Sequence, residues 1–129
     1  MKIGFIGLGN VGSKLAGSLL RNGFDLTVFD LNSQLVEKFA SKGAGIGEDP
    51  AHLMRLCDVV ITCLPSPDAS NSVMQLMLPF VKEGKTWLEM STTDDAEVRR
   101  LGAEVISRGG KAVDCPVSGL SLIHISEPT

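Results

Sequence analysis

A glycine-rich junction near the start of the chain constrains its fold more than any other feature. Gly7, Gly9 and Gly12 follow a short apolar run in the spacing G-x-G-x-x-G and precede a helical pattern. In this context the first glycine permits a tight strand-to-helix turn, the second admits a pyrophosphate, and the third lets the helix pack closely. The junction therefore predicts a dinucleotide-binding site formed by residues Gly7, Leu8, Gly9, Asn10, Val11 and Gly12. A glycine-rich turn that binds no ligand is the alternative.

An acidic residue, Asp30, closes the next apolar run, 18 residues after Gly12. A carboxylate at this place accepts hydrogen bonds from the adenosine ribose hydroxyls and repels a 2′-phosphate. The two residues after it, Leu31 and Asn32, carry no charge that could neutralise such a phosphate. We therefore expect NAD as the cofactor, with NADP disfavoured. A methyltransferase that binds S-adenosylmethionine also pairs a glycine-rich turn with an acid, but the spacing of the three glycines favours a dinucleotide.

Strand-like and helix-like patterns alternate along the chain. Strands are predicted at residues 2–6, 26–29, 44–46, 59–64, 86–90 and 111–114. Helices are predicted to begin near Asn10, Ser33, Pro50, Asp68 and either Thr93 or Asp94. The almost unbroken apolar run at 59–64 is typical of a parallel strand that is buried on both faces. The sequence therefore predicts an α/β fold, a Rossmann-type doubly wound parallel sheet in a single domain.

Length, charge and cysteine content exclude several classes of protein. The 129 residues suffice for one domain with its own core. A net charge of −3 gives no electrostatic footprint for nucleic acid, and no apolar run approaches the length of a membrane span. Because the first predicted strand begins directly after Met1, we expect no signal peptide. The three cysteines have no metal-ligand spacing, and we expect their side chains to be small buried apolar groups: Cys57, Cys63 and Cys115. Because an odd number argues against a set of disulfides, we expect a cytoplasmic protein.

The carboxyl ends of the predicted strands are where a ligand of such a sheet should lie. Besides Asp30, two of these ends offer cofactor contacts: Leu64 with Pro65, and Thr92 among its hydroxyl-bearing neighbours. Each has a simpler interpretation, because a proline can merely end a strand and a threonine can merely cap a helix. His52 lies in a predicted surface helix and is expected to be structural. No residue stands out as a proton-transfer group, a nucleophile or a metal ligand.

Four motifs together resemble the β-hydroxyacid dehydrogenase family, which includes 3-hydroxyisobutyrate dehydrogenase and tartronate semialdehyde reductase. Residues 3–12 are similar to the opening signature of the family, and residues 64–65 and 91–92 are similar to its two cofactor-contacting turns. Residues 114–119 are similar to its D-A-P-V-S-G-G substrate loop. Val11 stands where methionine is usual, and Cys115 stands where the loop has alanine. The resemblance covers residues 1–119 and implies an NAD-binding domain built like the NADP-binding domain of 6-phosphogluconate dehydrogenase.

The resemblance also implies a reaction, hydride transfer between NAD and a small hydroxy acid. Ser118 and Gly119 would hold the substrate carboxylate, while the catalytic lysine would lie in a later helix, ahead of an all-helical domain that is missing here. We therefore expect no catalytic residue in this chain, cofactor binding without turnover, and oligomers only with the helical domain. A non-enzymatic dinucleotide-binding module that senses or scaffolds is the alternative, because its glycines and Asp30 would look the same.

The family pattern ends at Leu120, where a second glycine is expected. Residues 120–129 resemble the translation of a transposase adapter used in preparing DNA libraries. We therefore expect an NAD-binding domain at 1–119, truncated after Gly119, and a foreign tail at 120–129 in which His124 has no function. An authentic reading frame through 120–129 in resequenced source DNA would contradict this hypothesis.

Overall fold

Strands and helices alternate in the computed structural model, which describes residues 1–91 and 94–114. In this part of the chain the strands are β1 (Lys2–Ile6), β2 (Asp25–Phe29), β3 (Gly45–Ile46), β4 (Val59–Thr62), β5 (Thr86–Glu89) and β6 (Lys111–Asp114). The helices are α1 (Asn10–Arg21), α2 (Ser33–Ala40), α3 (Pro50–Leu56), α4 (Pro67–Met77) and α5 (Asp95–Ser107), with a short 3-10 turn at Leu78–Phe80. No helix in these ranges is long and apolar enough to cross a membrane.

The strands form one parallel sheet in the order β3-β2-β1-β4-β5-β6. The chain builds outward from β1 to β3 and then returns to the other side of β1 to add β4. This reversal of direction confirms the predicted Rossmann-type fold, in which ligands bind beside the switch point. The register pairs Ile6 with Thr62 and Thr62 with Glu89, so the carboxyl ends of β1, β4 and β5 lie level.

Helices cover both faces of the sheet, and each face has its own apolar cluster. On one face Phe5 and Val28 pack with the apolar side of α1 and with Phe39 of α2. On the other face Val60 and Trp87 pack with residues of α3, α4 and α5. Because side chains alternate between the faces of a strand, a strand covered on both sides is mostly apolar along its whole length. This explains the apolar run that begins at Val59.

The structure moves several predicted boundaries by one or two residues. The strand predicted to reach Leu64 ends at Thr62. Ser33 is the first residue of α2, and Asn32 before it caps the helix by accepting a hydrogen bond from the backbone N–H of Gln34. Pro67, rather than Asp68, is the first residue of α4, where its missing N–H costs no hydrogen bond. The predictions for Thr92, Thr93 and residues 115–129 lie outside the described residues.

Candidate functional site

A cleft of about 950 Å³ opens at the carboxyl ends of the central strands. It runs from the end of β2, across the glycine junction, to the ends of β4 and β5. Most of the described residues that the sequence predicts to bind a cofactor line it: Gly7, Gly9, Asn10, Val11, Gly12, Asp30, Leu64 and Pro65. The exception is Leu8, whose side chain is buried in the core. Of the other predicted contacts, Thr92, Ser118 and Gly119 lie outside the described residues.

The three glycines of the junction have different structural requirements. Gly7 has a φ of +103°, and a Cβ atom there would lie 2.1 Å from the carbonyl oxygen of Cys63. A Cβ atom on Gly12 would lie 1.9 Å from the carbonyl oxygen of Gly7. Gly9 differs, because a Cβ atom there would meet no atom within 4 Å. The fold therefore requires glycine at Gly7 and Gly12, whereas Gly9 borders open space in the cleft.

The first turn of α1 lines the cleft and has no side-chain cap. Gly9 is the N-cap of α1 and supplies no side-chain hydrogen bond. The other described α-helices each begin at a residue whose side chain accepts a backbone N–H: Asn32, Asp49, Ser66 and Asp94. The first N–H groups of a helix have no partner within it, and the helix dipole makes that end positive. The start of α1 therefore suits an anionic group bound in the cleft.

Asp30 connects the end of β2 to the glycine junction. Its Oδ2 accepts a hydrogen bond from the backbone N–H of Leu8 at 2.7 Å, and its Oδ1 accepts one from the N–H of Asn32 at 2.8 Å. Each carboxylate oxygen can accept a second hydrogen bond, so both can still receive a hydroxyl group from the cleft. The amide of Leu8 is thus used inside the protein, where it holds the Asp30 carboxylate in place.

The charged residues that line the cleft are all acidic. They are Asp30 and Asp49, and the described lining residues include no lysine or arginine. Much of the remaining lining is apolar, and Leu76 on α4 is 53% exposed. The described lining therefore offers apolar surface and hydrogen-bond acceptors. Apart from the positive end of the α1 dipole, it offers no positive charge that could bind a further phosphate group.

A buried carboxylate, Glu89, lies behind the cleft at the end of β5 and was not singled out from the sequence. It is fully buried, and its Oε2 accepts a hydrogen bond from the Thr62 hydroxyl at 2.8 Å. Its Oε1 accepts from the backbone N–H of Ser91. The sequence contained a signal for it, because a charged residue interrupts the otherwise apolar strand around Trp87 and Met90.

A family model described as the NAD binding domain of 6-phosphogluconate dehydrogenase matches residues 2–122. The chain belongs to this family. Its membership confirms the resemblance of the sequence motifs to NAD-dependent dehydrogenases of this type. The match reaches past the domain boundary predicted at Gly119, so that boundary stays a prediction.

Similar proteins of this NAD-binding family carry different names. The chain is 35% identical over 121 residues to the cytokine-like nuclear factor N-PAC of Xenopus tropicalis, and 34% identical over 122 residues to glyoxylate/succinic semialdehyde reductase 1 of Arabidopsis thaliana. Each alignment covers 92% of this chain, but only 23% and 42% of those proteins. A solved 3-hydroxyisobutyrate dehydrogenase of Mycobacterium tuberculosis superposes with a TM-score of 0.84 at 28% identity, over 92% of this chain and 40% of that one.

The histidine and the two cysteines of the described residues have structural explanations. Nδ1 of His52 accepts a hydrogen bond from the backbone N–H of Glu48 at 3.1 Å, beside the cap of α3. Burial raises the pKa of the Cys57 thiol to about 11, and burial also raises the pKa of the Cys63 thiol above its ordinary value. Neither thiol is therefore activated as a nucleophile. The described residues contain no group of side chains that could hold a metal ion.

The pKa of Glu89 makes the stability of this NAD-binding fold depend on pH. Burial raises the pKa of its carboxyl above the ordinary value, and hydrogen bonds from Ser91 and Thr62 partly oppose the rise. The Asp114 carboxylate on β6 raises the pKa further. A raised pKa means that the folded state binds the proton more tightly than the unfolded chain does. The stabilising contribution is therefore complete below the ordinary glutamate pKa and is lost as the pH rises through the raised one.

We expect Glu89→Gln to remove this pH dependence. The free energy of unfolding of the variant, minus that of the unmodified chain, should increase as the pH rises from about 4 to 8. Urea unfolding at several pH values measures this difference. Glu83→Gln is the matched control, because Glu83 is exposed and precedes the same strand. A difference that stays constant for Glu89→Gln, or that follows the control, would contradict the expected pKa.

Proposed function

We propose that the cleft binds NAD, with the pyrophosphate at the start of α1 and the adenosine ribose at Asp30. The observation that carries this proposal is the combination of an uncapped helix start with open space beside Gly9. Two negatively charged phosphate groups need N–H donors and close approach to the backbone, and both are available there. The second lone pair on each Asp30 oxygen supports the placement of the ribose, because its two hydroxyl groups need acceptors.

The charges of the cleft support NAD over NADP. A 2′-phosphate on the ribose would lie beside the Asp30 carboxylate, and the described lining has no lysine or arginine to offset the repulsion. The second acidic residue, Asp49, adds to the negative potential. We therefore propose that the chain discriminates against NADP by charge rather than by shape.

Replacing Asp30 with asparagine tests this discrimination. Asp30→Asn removes the negative charge and keeps one oxygen as an acceptor, so we expect NAD affinity to fall roughly 5- to 20-fold and NADP affinity to fall less or to rise. The ratio of the two affinities, measured by calorimetric titration, should therefore shift toward NADP. Asp25→Asn at the exposed start of β2 is the charge-matched control and should leave the ratio unchanged. An unchanged ratio in Asp30→Asn would argue against the role of its charge.

Titration of the unmodified chain with three ligands tests the proposed cofactor. We expect NAD to bind more tightly than NADP and S-adenosylmethionine to bind not at all, because only NAD matches both the start of α1 and the Asp30 carboxylate. Equal affinities for NAD and NADP would remove the argument from charge. Preferential binding of S-adenosylmethionine would replace the proposal with a methyltransferase.

For the complete protein we propose an NAD-dependent dehydrogenase that acts on a small hydroxy acid. NAD, when bound, accepts or supplies the hydride. The described residues of this chain bind and orient the cofactor, and Ser118 with Gly119 would hold the substrate carboxylate by resemblance to the family. The proton-transferring lysine is proposed to lie in the part of the protein that follows, so this chain alone should not turn over. Steady turnover of a hydroxy acid by the purified 129-residue chain would refute that placement.

The name of one relative favours a second candidate, a dinucleotide-binding module without catalysis. N-PAC is called a nuclear factor rather than an enzyme, and the chain is 35% identical to it. The cleft would look the same in both cases, since both need to bind the cofactor. A lysine on the site-facing side of a downstream helix in the continuous gene, together with turnover by the full-length product, would support the enzyme. For the enzyme we propose a cytoplasmic location and no nucleic-acid or membrane partner.

A further inference from the structure

Glu89 is a buried carboxyl group beside which the described part of the chain places no cation. It is fully buried, and the one ion pair found among the described residues joins Arg100 to Glu97 on the surface of α5. A buried charge without a counterion destabilises a fold unless hydrogen bonds satisfy it. Glutamate at this position therefore needs an explanation beyond filling the core, which an apolar residue would do better.

The hydrogen bonds around Glu89 connect the ends of two neighbouring strands. The Trp87 indole N–H donates to the Thr62 hydroxyl oxygen at 2.9 Å, and that hydroxyl donates to Glu89. On its other oxygen Glu89 receives the backbone N–H of Ser91. The Ser91 hydroxyl oxygen in turn accepts the backbone N–H of Leu64 at 2.5 Å. This continuous series links the end of β5 to the turn after β4.

Only the far end of this series reaches the cleft. Ser91 and Leu64 line the cleft, whereas Glu89, Thr62 and Trp87 do not. A dinucleotide lies across the crevice of such a sheet, so adenosine at the end of β2 places the second nucleotide over β4 and β5. The backbone of Ser91, which Glu89 binds, therefore lies on the side of the cleft where the second nucleotide would bind and not on the side of the adenosine.

We propose that Glu89 is a positioning residue for the nicotinamide half of the cofactor site. Its carboxylate fixes the Ser91 backbone, and Ser91 fixes the turn at Leu64 and Pro65, so both surfaces are already in place when the second nucleotide binds. This inference rests on the proposed function, because it presumes a dinucleotide in the cleft. The arrangement matches the general requirement that residues in contact with a ligand are themselves held by hydrogen bonds from behind.

A comparison of NAD with ADP separates this role from a merely structural one. ADP carries the adenosine and pyrophosphate but lacks the second nucleoside, so it does not contact the surface that Glu89 holds. We expect Glu89→Gln to weaken NAD binding roughly 10-fold and to change ADP binding less than about 2-fold in calorimetric titrations. Glu83→Gln, at an exposed position before β5, should change neither. A loss of general stability would weaken both ligands equally and would leave their ratio unchanged.

A second variant keeps the test decisive if Glu89→Gln does not fold. Thr62→Val removes the hydroxyl that donates to Glu89, and Thr62 itself is buried and does not line the cleft. We expect the same selective loss of NAD affinity, smaller in size. An unchanged ratio in whichever variants fold would overturn the positioning role and leave NAD binding intact. If the unmodified chain bound neither ligand, the proposed function would fail, and the role of Glu89 with it.

Discussion

Replacing Gly12 with alanine is expected to unfold the chain or to cost more than about 3 kcal/mol of stability. The added Cβ atom would lie 1.9 Å from the carbonyl oxygen of Gly7 and 3.4 Å from the Phe5 ring. The Phe5 side chain could rotate away, but the Gly7 carbonyl is part of the backbone and cannot. The start of α1 would therefore have to move away from the glycine junction. This cost is a large fraction of the roughly 5–15 kcal/mol that stabilises an ordinary domain.

Gly17→Ala on the same helix is the matched control for this prediction. A Cβ atom there would approach only the end of the flexible Arg21 side chain, at 3.2 Å. Alanine is the better helix former, so Gly17→Ala should leave stability unchanged or raise it by up to about 1 kcal/mol. Urea unfolding of both variants measures the contrast. A Gly12→Ala variant with the unfolding midpoint of the unmodified chain would show that α1 does not pack as described.

Replacing Gly9 with alanine is expected to have the opposite profile, with loss of binding and no loss of stability. Gly9 has a φ of −69°, which any residue can adopt, and its added Cβ atom would meet no protein atom within 4 Å. The same methyl group would occupy the space that we assign to the pyrophosphate. We expect NAD affinity to fall roughly 10- to 100-fold, while the free energy of unfolding changes by less than about 0.5 kcal/mol.

Calorimetric titration and urea unfolding of the same Gly9→Ala preparation separate the two effects. Gly17→Ala again serves as the control, because it adds a methyl group to α1 away from the cleft and should bind NAD normally. If Gly9→Ala bound NAD as tightly as the unmodified chain, the pyrophosphate could not lie at the start of α1. If the Gly9→Ala variant unfolded instead, the added methyl group would have to clash with protein atoms, which would contradict the open space described beside Gly9.

The glycine junction was predictable because each of its requirements is local or generic to the fold. The parallel α/β sheet followed from the alternation of strand and helix patterns and from the handedness of parallel crossovers. The family match to residues 2–122 agrees with this prediction. The reason for Gly7, however, is not local, since its missing Cβ leaves room for the carbonyl oxygen of Cys63 at the end of β4. The spacing of the glycines predicted that Gly7 is required, but it could not predict that the Cys63 carbonyl is the neighbour that requires it.

The hydrogen bonds of the site were beyond prediction from the sequence. The glycine motif predicts a cofactor contact at Leu8, but it gives no sign that the Leu8 side chain lies in the core or that its N–H donates to Asp30. Glu89 was missed because its partner Thr62 is 27 residues away in the chain. Such pairs depend on the register of neighbouring strands, and one residue of slip would turn either side chain to the opposite face.

An NMR titration of the isotopically labelled chain with NAD tests the central claim most directly. If the dinucleotide lies across the carboxyl ends of the strands, the amide signals of Gly9, Asn10, Asp30 and Leu64 should shift. The amide signals of Glu83 and Gly84, which precede β5 at the amino ends of the strands, should not shift. Shifts confined to the amino ends of the strands, or no shifts at saturating NAD, would contradict dinucleotide binding at the glycine junction.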